Sequence, residues 1–174
     1  MLLLFIPQQI ATKPLMRVIS IDPGYDRLGV AVLDYHQGKE RLIYSGCIET
    51  NKKAPLTERL FSLGEDFNTL LSEYSPDTLA IETLFFNTNQ KTAIGVAGAR
   101  GIIIYLAQVA GCQVFEFGPQ EVKVALTGYG KSDKAAVTAM VLRLIPDAPK
   151  QALDDEYDAI AVGITCLAHH GRNQ

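Results

Sequence analysis

Three strand-length apolar runs follow one another at residues 17–22, 28–35 and 40–49, joined only by the turn-like stretches PGYDR and HQGK. Connections that short make consecutive strands pair antiparallel, so the chain opens as a three-stranded meander. The rhythm then changes. Leu60, Leu63, Phe67, Leu70 and Tyr74 recur at helical spacing, which predicts a helix from Pro55 to about Tyr74, with Pro55 suited to its first position. DTLAIET (77–83) reads as a short buried strand, QKTAIGVAGARGIIIYLAQVAG (90–111) as a long helix closed by Gly111, and CQVFEFG (112–118) as another strand. A shorter helix from Pro119, the glycine-punctuated loop TGYGKSDK, a helix to about Ile145 and a last helix from Asp154 to His169 complete the pattern. A meander followed by strands alternating with helices predicts an α/β fold, a five-stranded mixed sheet covered by helices on both faces.

At 174 residues, 48% hydrophobic and 20% charged, the chain is sized and composed for one globular core. The expected division is an extension over 1–15, a single domain over 16–170 and a polar tail over 171–174. The opening MLLLFIPQQIATKPLM has a short apolar run, no basic leader and a break at Pro7, so neither a signal peptide nor a membrane anchor is expected. Cys47, Cys112 and Cys166 are odd in number and widely spaced, which argues against a disulfide framework and for a reducing, cytoplasmic compartment. Cys166 and His169 form half of a zinc-like spacing with no second half, and are read as packing and surface residues. The net charge of −3 supplies no global basic field for nucleic acid, yet an acidic pocket can cancel a basic rim in that sum.

Four acids sit where acids are expensive. Asp22 ends the first strand, Glu82 comes late in the apolar stretch LAIETLFF, and Asp155 and Asp158 open the apolar helix LDDEYDAIAVGI. Residues three apart share a helix face, so Asp155 and Asp158 can point at one place. Structural readings exist beside the functional one. Asp154 and Asp155 can cap the helix and favour its dipole, and Asp22 can brace the following turn. Glu82 has no such local role within its strand. Chemistry in open α/β sheets gathers beyond the strand ends. Four converging carboxylates without a nearby histidine or cysteine suit hard divalent cations, Mg²⁺ or Mn²⁺, which relieve the repulsion between the acids. Two such ions about 4 Å apart would activate a water and stabilise the leaving oxygen of a phosphodiester.

Taken in order, IDPG, LGVAV, AIE with FF shortly after, ARG, VFEFGPQEVK and DDEYDAIAVGI resemble the RuvC family from about Met16 to His170. Its members are Holliday junction resolvases (crossover junction endodeoxyribonucleases) of the RNase H-like superfamily. The resemblance implies an RNase H-like fold, a homodimer, and Mg²⁺-dependent symmetric nicking of two strands at a four-way junction in recombination and repair. A branch-migration helicase complex is the expected partner. It also implies that Asp22, Glu82, Asp155 and Asp158 are the catalytic, metal-binding carboxylates. Phe85 matches an aromatic used near the junction centre, and Lys123 and Lys134 match basic residues that support DNA binding or catalysis. The stretch YDRLGVAV is similar to the related YqgF group, and Gly98, Glu156 and Tyr157 depart from the usual family pattern.

Other features fit that reading with different force. Lys91, Arg100, Lys123, Lys131 and Lys134 outnumber the acids around them and form a candidate phosphate-binding patch, or else a solvated mixed-charge surface. One of the two aromatics in FFN belongs to the core, and Phe85 is the one assigned to stacking on DNA. Ala93, Ala97 and Gly101, with Gly98 beside them, allow close approach of the long helix to the sheet or to a second copy of the chain. TGYGKS lacks the first glycine of a phosphate loop and follows a helix, so nucleotide binding is not expected. Two alternatives remain: another RNase H-like nuclease, YqgF-like or acting on RNA–DNA hybrids with a glutamate drawn from Glu58, Glu65 or Glu73, and a junction-binding module without catalysis.

Overall fold

The computed structural model describes residues 14–83 and 90–171; the side chains of residues 90–92 also lie outside the description. The meander forms as β1 (Met16–Asp22), β2 (Arg27–His36) and β3 (Lys39–Glu49), paired antiparallel, with a register shift between Val32 and Leu33. Helix α1 (Leu56–Tyr74) then leads to β4 (Thr78–Glu82), α2 (Gln90–Val109) and β5 (Gln113–Phe117). Helices α3 (Pro119–Thr127), α4 (Lys134–Leu144) and α5 (Asp154–His170) complete the chain. The sheet order is β3-β2-β1-β4-β5, with β4 parallel to both β1 and β5. This is the mixed sheet that the alternation of runs predicts. Pro55 stands one residue ahead of its expected place, as the N-cap of α1, and α2 ends at Val109, with Gly111 turning the chain at φ +87°.

Strand alternation divides the core. Ile19 and Ile21 of β1, Val30 and Val32 of β2, and Leu79 and Ile81 of β4 pack with Leu63 and Phe67 of α1 and with Ala99 and Ile103 of α2. On the opposite face, Val18, Ala31, Leu33 and Ala80 pack with α5, behind which lie Val122 and Leu126 of α3 and Val137 and Val141 of α4. Because successive residues of a strand point to opposite faces, Asp22 follows Val18 and Ser20, and Glu82 follows Thr78 and Ala80, onto the α5 side.

Helix α5 is buried on nearly every side, from Ala159 through Leu167. That explains why this stretch, Thr165 apart, carries no polar side chain and shows no amphipathic alternation. It lies close to the strands because Gly163 leaves no Cβ: an added one would stand 2.4 Å from the Leu33 side chain and 2.7 Å from Ser20 Oγ. The Ser20 hydroxyl donates to the Ala159 carbonyl at 2.7 Å and pins the helix in register with β1. At the far end of the sheet, Arg17 and Asp34 face each other across β1 and β2 in a bidentate ion pair of 2.7 and 2.8 Å, and Arg17 Nη1 also donates to the Tyr74 carbonyl.

Candidate active site

Ile21 pairs with Ile81 in the parallel β1–β4 ladder, so Asp22 and Glu82 stand side by side at adjacent strand ends. The next parallel strand, β5, ends at the same edge, where Phe117 pairs with Glu82 and Gly118 starts α3. Helix α5 enters from above. Asp22 pairs with Gly29 of β2, and a Cβ at Gly29 would lie 1.9 Å from the Asp155 carbonyl oxygen, so the absence of that atom brings the first turn of α5 onto the strand end. The α5 N-cap is Leu153, which has no side chain able to cap. Asp154 and Asp155 therefore do not cap the helix, although both lie in its first turn.

The electrostatics point to convergence at Asp22. Burial, followed by the charges of Glu82, Asp158 and Asp155, pushes its carboxyl up to about 7, with Lys134 opposing. Burial and the charge of Asp158 push Glu82 up to about 7 as well, with Lys123 and Lys134 opposing. Carboxyls raised this far have lost water without gaining enough positive charge to replace it. An all-oxygen donor set of this kind, short of cations, fits a hard divalent metal.

The basic groups divide the four carboxylates between two sides. Asp155 is ion-paired with Arg27, at the start of β2. Asp158 accepts from Lys134 at 2.9 Å, and the same ammonium reaches Asp154 at 3.3 Å. Burial works to lower Lys134, but its bonds to Asp158 and Asp154 outweigh this and hold it above its ordinary range. Among the described residues, no three acidic, histidine or cysteine side chains are gathered into a ready-made metal cage. A cavity of about 190 Å³ is lined by Glu82, Lys123, Lys134 and Asp158 over an apolar floor that includes Val122 and Val137. Asp155 and Arg27 border a separate open cavity of about 390 Å³, beside Gly24, Tyr25 and Lys52.

The other expected residues are placed less uniformly. Lys123 and Lys134 meet at the carboxylates, whereas Lys131 stands exposed in the turn between α3 and α4. Arg100 is ion-paired with Glu116 on β5. Phe85 and the Lys91 side chain lie outside the described residues. Glu58, Glu65 and Glu73 are exposed on α1, which packs on the face of the sheet opposite Asp22 and Glu82. Cys112 and Cys166 are buried free thiols, as expected of packing residues. Arg27 and Arg59 escaped the sequence reading. The signal available for Arg27 was a cation between two apolar strands, five residues after a strand-end carboxylate.

Comparison with known proteins agrees with this geometry. The sequence profile of the family described as "Crossover junction endodeoxyribonuclease RuvC" matches residues 18–166. A protein of that description from Thermosipho melanesiensis is 45% identical over 153 residues, covering 88% of this chain and 97% of its own. Another from Alkaliphilus oremlandii is 38% identical over 156 residues, covering 90% of this chain and 94% of its own. The structure of Thermus thermophilus RuvC in complex with a Holliday junction substrate superposes with a TM-score of 0.82 at 30% identity, covering 90% of this chain and 95% of that one. The parallel strand ends carrying Asp22 and Glu82, the helix delivering Asp155 and Asp158, and these matches along most of the chain place the protein in the RuvC family of crossover junction endodeoxyribonucleases.

Proposed function

We propose that residues 16–170 form a divalent-metal-dependent endodeoxyribonuclease domain that resolves four-way DNA junctions by paired nicks. The observation that carries this reading is the adjacency of Asp22 and Glu82 on parallel strand ends, on the sheet face to which α5 brings Asp158. Asp22, Glu82, Asp155 and Asp158 would hold Mg²⁺, with Mn²⁺ as a substitute, and two ions satisfy this many carboxylates. When bound, the metal supplies an activated water and charge stabilisation at the leaving 3′-oxygen. Asp22 and Glu82 give up their protons on loading, because each otherwise titrates near neutrality. Lys134 and Lys123, beside Glu82 and Asp158, stabilise the negative charge that builds on the phosphate. Lys91, Lys131, Arg100 and Phe85 are assigned to the DNA: the three basic residues to its backbone and Phe85 to a base.

Paired nicks need two sites. On α2, Ile94 and Tyr105 are 72% and 67% exposed, and Phe61 of α1 is 70% exposed. Gly98 of α2 packs inward on Leu60 of α1, while Gly101 of α2 faces open space. This outward stripe supports a two-fold homodimer. Similarity to a protein seen with a Holliday junction substrate supports the substrate class, and the family resemblance supports a branch-migration helicase complex as partner. Among the described residues no helix is long and apolar enough to cross a membrane, which fits a role on cytoplasmic DNA.

A labelled synthetic four-way junction incubated with Mg²⁺ or EDTA, beside an Asp22→Asn variant, tests the proposal. Paired symmetric nicks that require both metal and Asp22 are expected. Tight junction binding with no cleavage in Mg²⁺ or Mn²⁺ would identify a binding module instead, and cleavage confined to RNA–DNA hybrids would change the substrate.

A further inference from the structure

Arg59 of α1 is 8% exposed, and its guanidinium joins the Tyr25–Asp26 turn to Thr50 at the end of β3. Nη2 donates to the Tyr25 carbonyl at 3.2 Å and to the Asp26 carboxylate, and Nε donates to Thr50 Oγ1 at 2.9 Å. The guanidinium carbon lies 4.6 Å from the centre of the Tyr25 ring. Thr50 closes the arrangement, donating from Oγ1 to the Tyr25 carbonyl at 2.6 Å and from its N–H to the Asp26 carbonyl at 3.1 Å. The Tyr25 ring in turn fills the space over Gly95 of α2, where an added Cβ would stand 2.8 Å from it.

The pinned turn has a functional residue at each end. Asp22 precedes it on β1, and Arg27, which holds Asp155, immediately follows it. Backbone movement at Tyr25 or Asp26 would therefore displace both Asp22 and the partner of Asp155. A buried cation that makes several charge-assisted bonds to a backbone turn is costly to assemble, and for packing alone an apolar side chain would serve α1 equally well.

We infer that Arg59 is a positioning residue for metal binding: through the Tyr25–Asp26 turn it fixes where Asp22 and Asp155 stand when the cation arrives. This rests on the assignment of those carboxylates as metal ligands. Residues that orient ligands from outside the coordination sphere typically change metal affinity or activity by about 10–100-fold when replaced.

Arg59→Lys keeps the charge and loses the planar fork, so it tests the geometry and not the presence of a cation. Mn²⁺ binding to the DNA-free protein is measured by calorimetry, beside kcat for junction nicking, junction affinity in EDTA and thermal unfolding. The expected result is an Mn²⁺ Kd raised by about tenfold or more, kcat lowered by a similar factor, and junction affinity in EDTA unchanged. A purely structural role would lower the melting temperature and leave Mn²⁺ affinity and kcat per folded molecule at wild-type values, which would overturn the inference. Thr50→Val, isosteric at a buried position, removes two clamp contacts, the hydroxyl's bond to the Tyr25 carbonyl and the bond it accepts from Arg59 Nε, and carries the test if Arg59→Lys does not fold; an unchanged Mn²⁺ Kd in that variant would also overturn it. Wild-type protein that binds no Mn²⁺ would instead remove the ligand assignment underneath.

Discussion

Gly29 backs directly onto Asp155: a Cβ added to the glycine would stand 1.9 Å from the Asp155 carbonyl oxygen, far inside contact distance. Neither backbone can yield independently, since Gly29 is paired with Asp22 in the sheet and Asp155 lies in the first turn of α5. Gly29→Ala is therefore expected to lift the start of α5 off the strand end. Overpacking of this kind costs about 1–3 kcal/mol, and a displacement of about 1 Å at a catalytic group costs about 100-fold in rate. Denaturant unfolding beside junction nicking checks both, and a variant with wild-type kcat contradicts the close-approach argument.

A pH dependence follows from Asp22 and Glu82. Both carboxyls titrate at about 7 in the folded protein, against about 4 in an unfolded chain. Between those values the folded state holds protons that the unfolded state has released, so without metal these groups make stability fall as pH rises from about 4 through 7. Asp22→Asn removes one of them. In EDTA the variant is expected to exceed wild type in stability at pH 8, on the order of 4 kcal/mol, with the difference vanishing towards pH 4. Thermal melts at pH 5 and pH 8 decide it; a difference that does not grow with pH refutes burial and carboxylate repulsion at Asp22 as its cause.

Lys134 lowers the proton affinity of both Asp22 and Glu82. Lys134→Met should move the rising limb of the pH–rate profile upward at limiting Mg²⁺, because metal must then displace protons held more tightly. Loss of the charge should also lower kcat by about 10–100-fold. Single-turnover nicking across pH 6–9 separates the two effects. A fall in kcat with no change in the profile would confine Lys134 to the phosphate.

The Arg17–Asp34 pair offers a control far from the chemistry. Asp34 is 8% exposed, and Asp34→Ala strands the Arg17 guanidinium with only part of its bonds. Hydrogen bonds to charged groups contribute about 1.5–3 kcal/mol, so a loss of about 2 kcal/mol is expected, with kcat and Mn²⁺ affinity intact at 25 °C. A drop in kcat at temperatures where the variant is fully folded would show that the far end of the sheet reaches the site.

The sheet and helices were legible in the sequence because their signals are local: short connections for β1–β3, helical spacing for α1, and an apolar run interrupted by Glu82 for β4. The carboxylates were legible because charge in such runs is conspicuous. What escaped was partnership across long separations. Arg27 meets Asp155 over 128 residues, and Arg59 meets Asp26 over 33, and nothing in spacing or periodicity encodes those meetings. The suggestion that Asp155 caps its helix failed for a comparable reason, since capping depends on where the backbone leaves the helix, and it leaves at Leu153. Arg100 meets Glu116 of β5 across 16 residues, another pairing that spacing does not announce.

The candidate centre is held together by two kinds of support with different endurance. Asp22 and Glu82 end the central strands β1 and β4, paired there with Gly29 and Phe117, whereas Asp155 and Asp158 ride on the first turns of a helix that lacks a side-chain cap. Helix ends fray at far lower cost than central strands separate. Loss of that first turn, with its contacts to Gly29, Arg27 and Lys134, would dismantle the proposed centre while the central strands still pair. For a crossover junction endodeoxyribonuclease, a centre that disassembles before the protein does errs towards the uncut state under heat or denaturant.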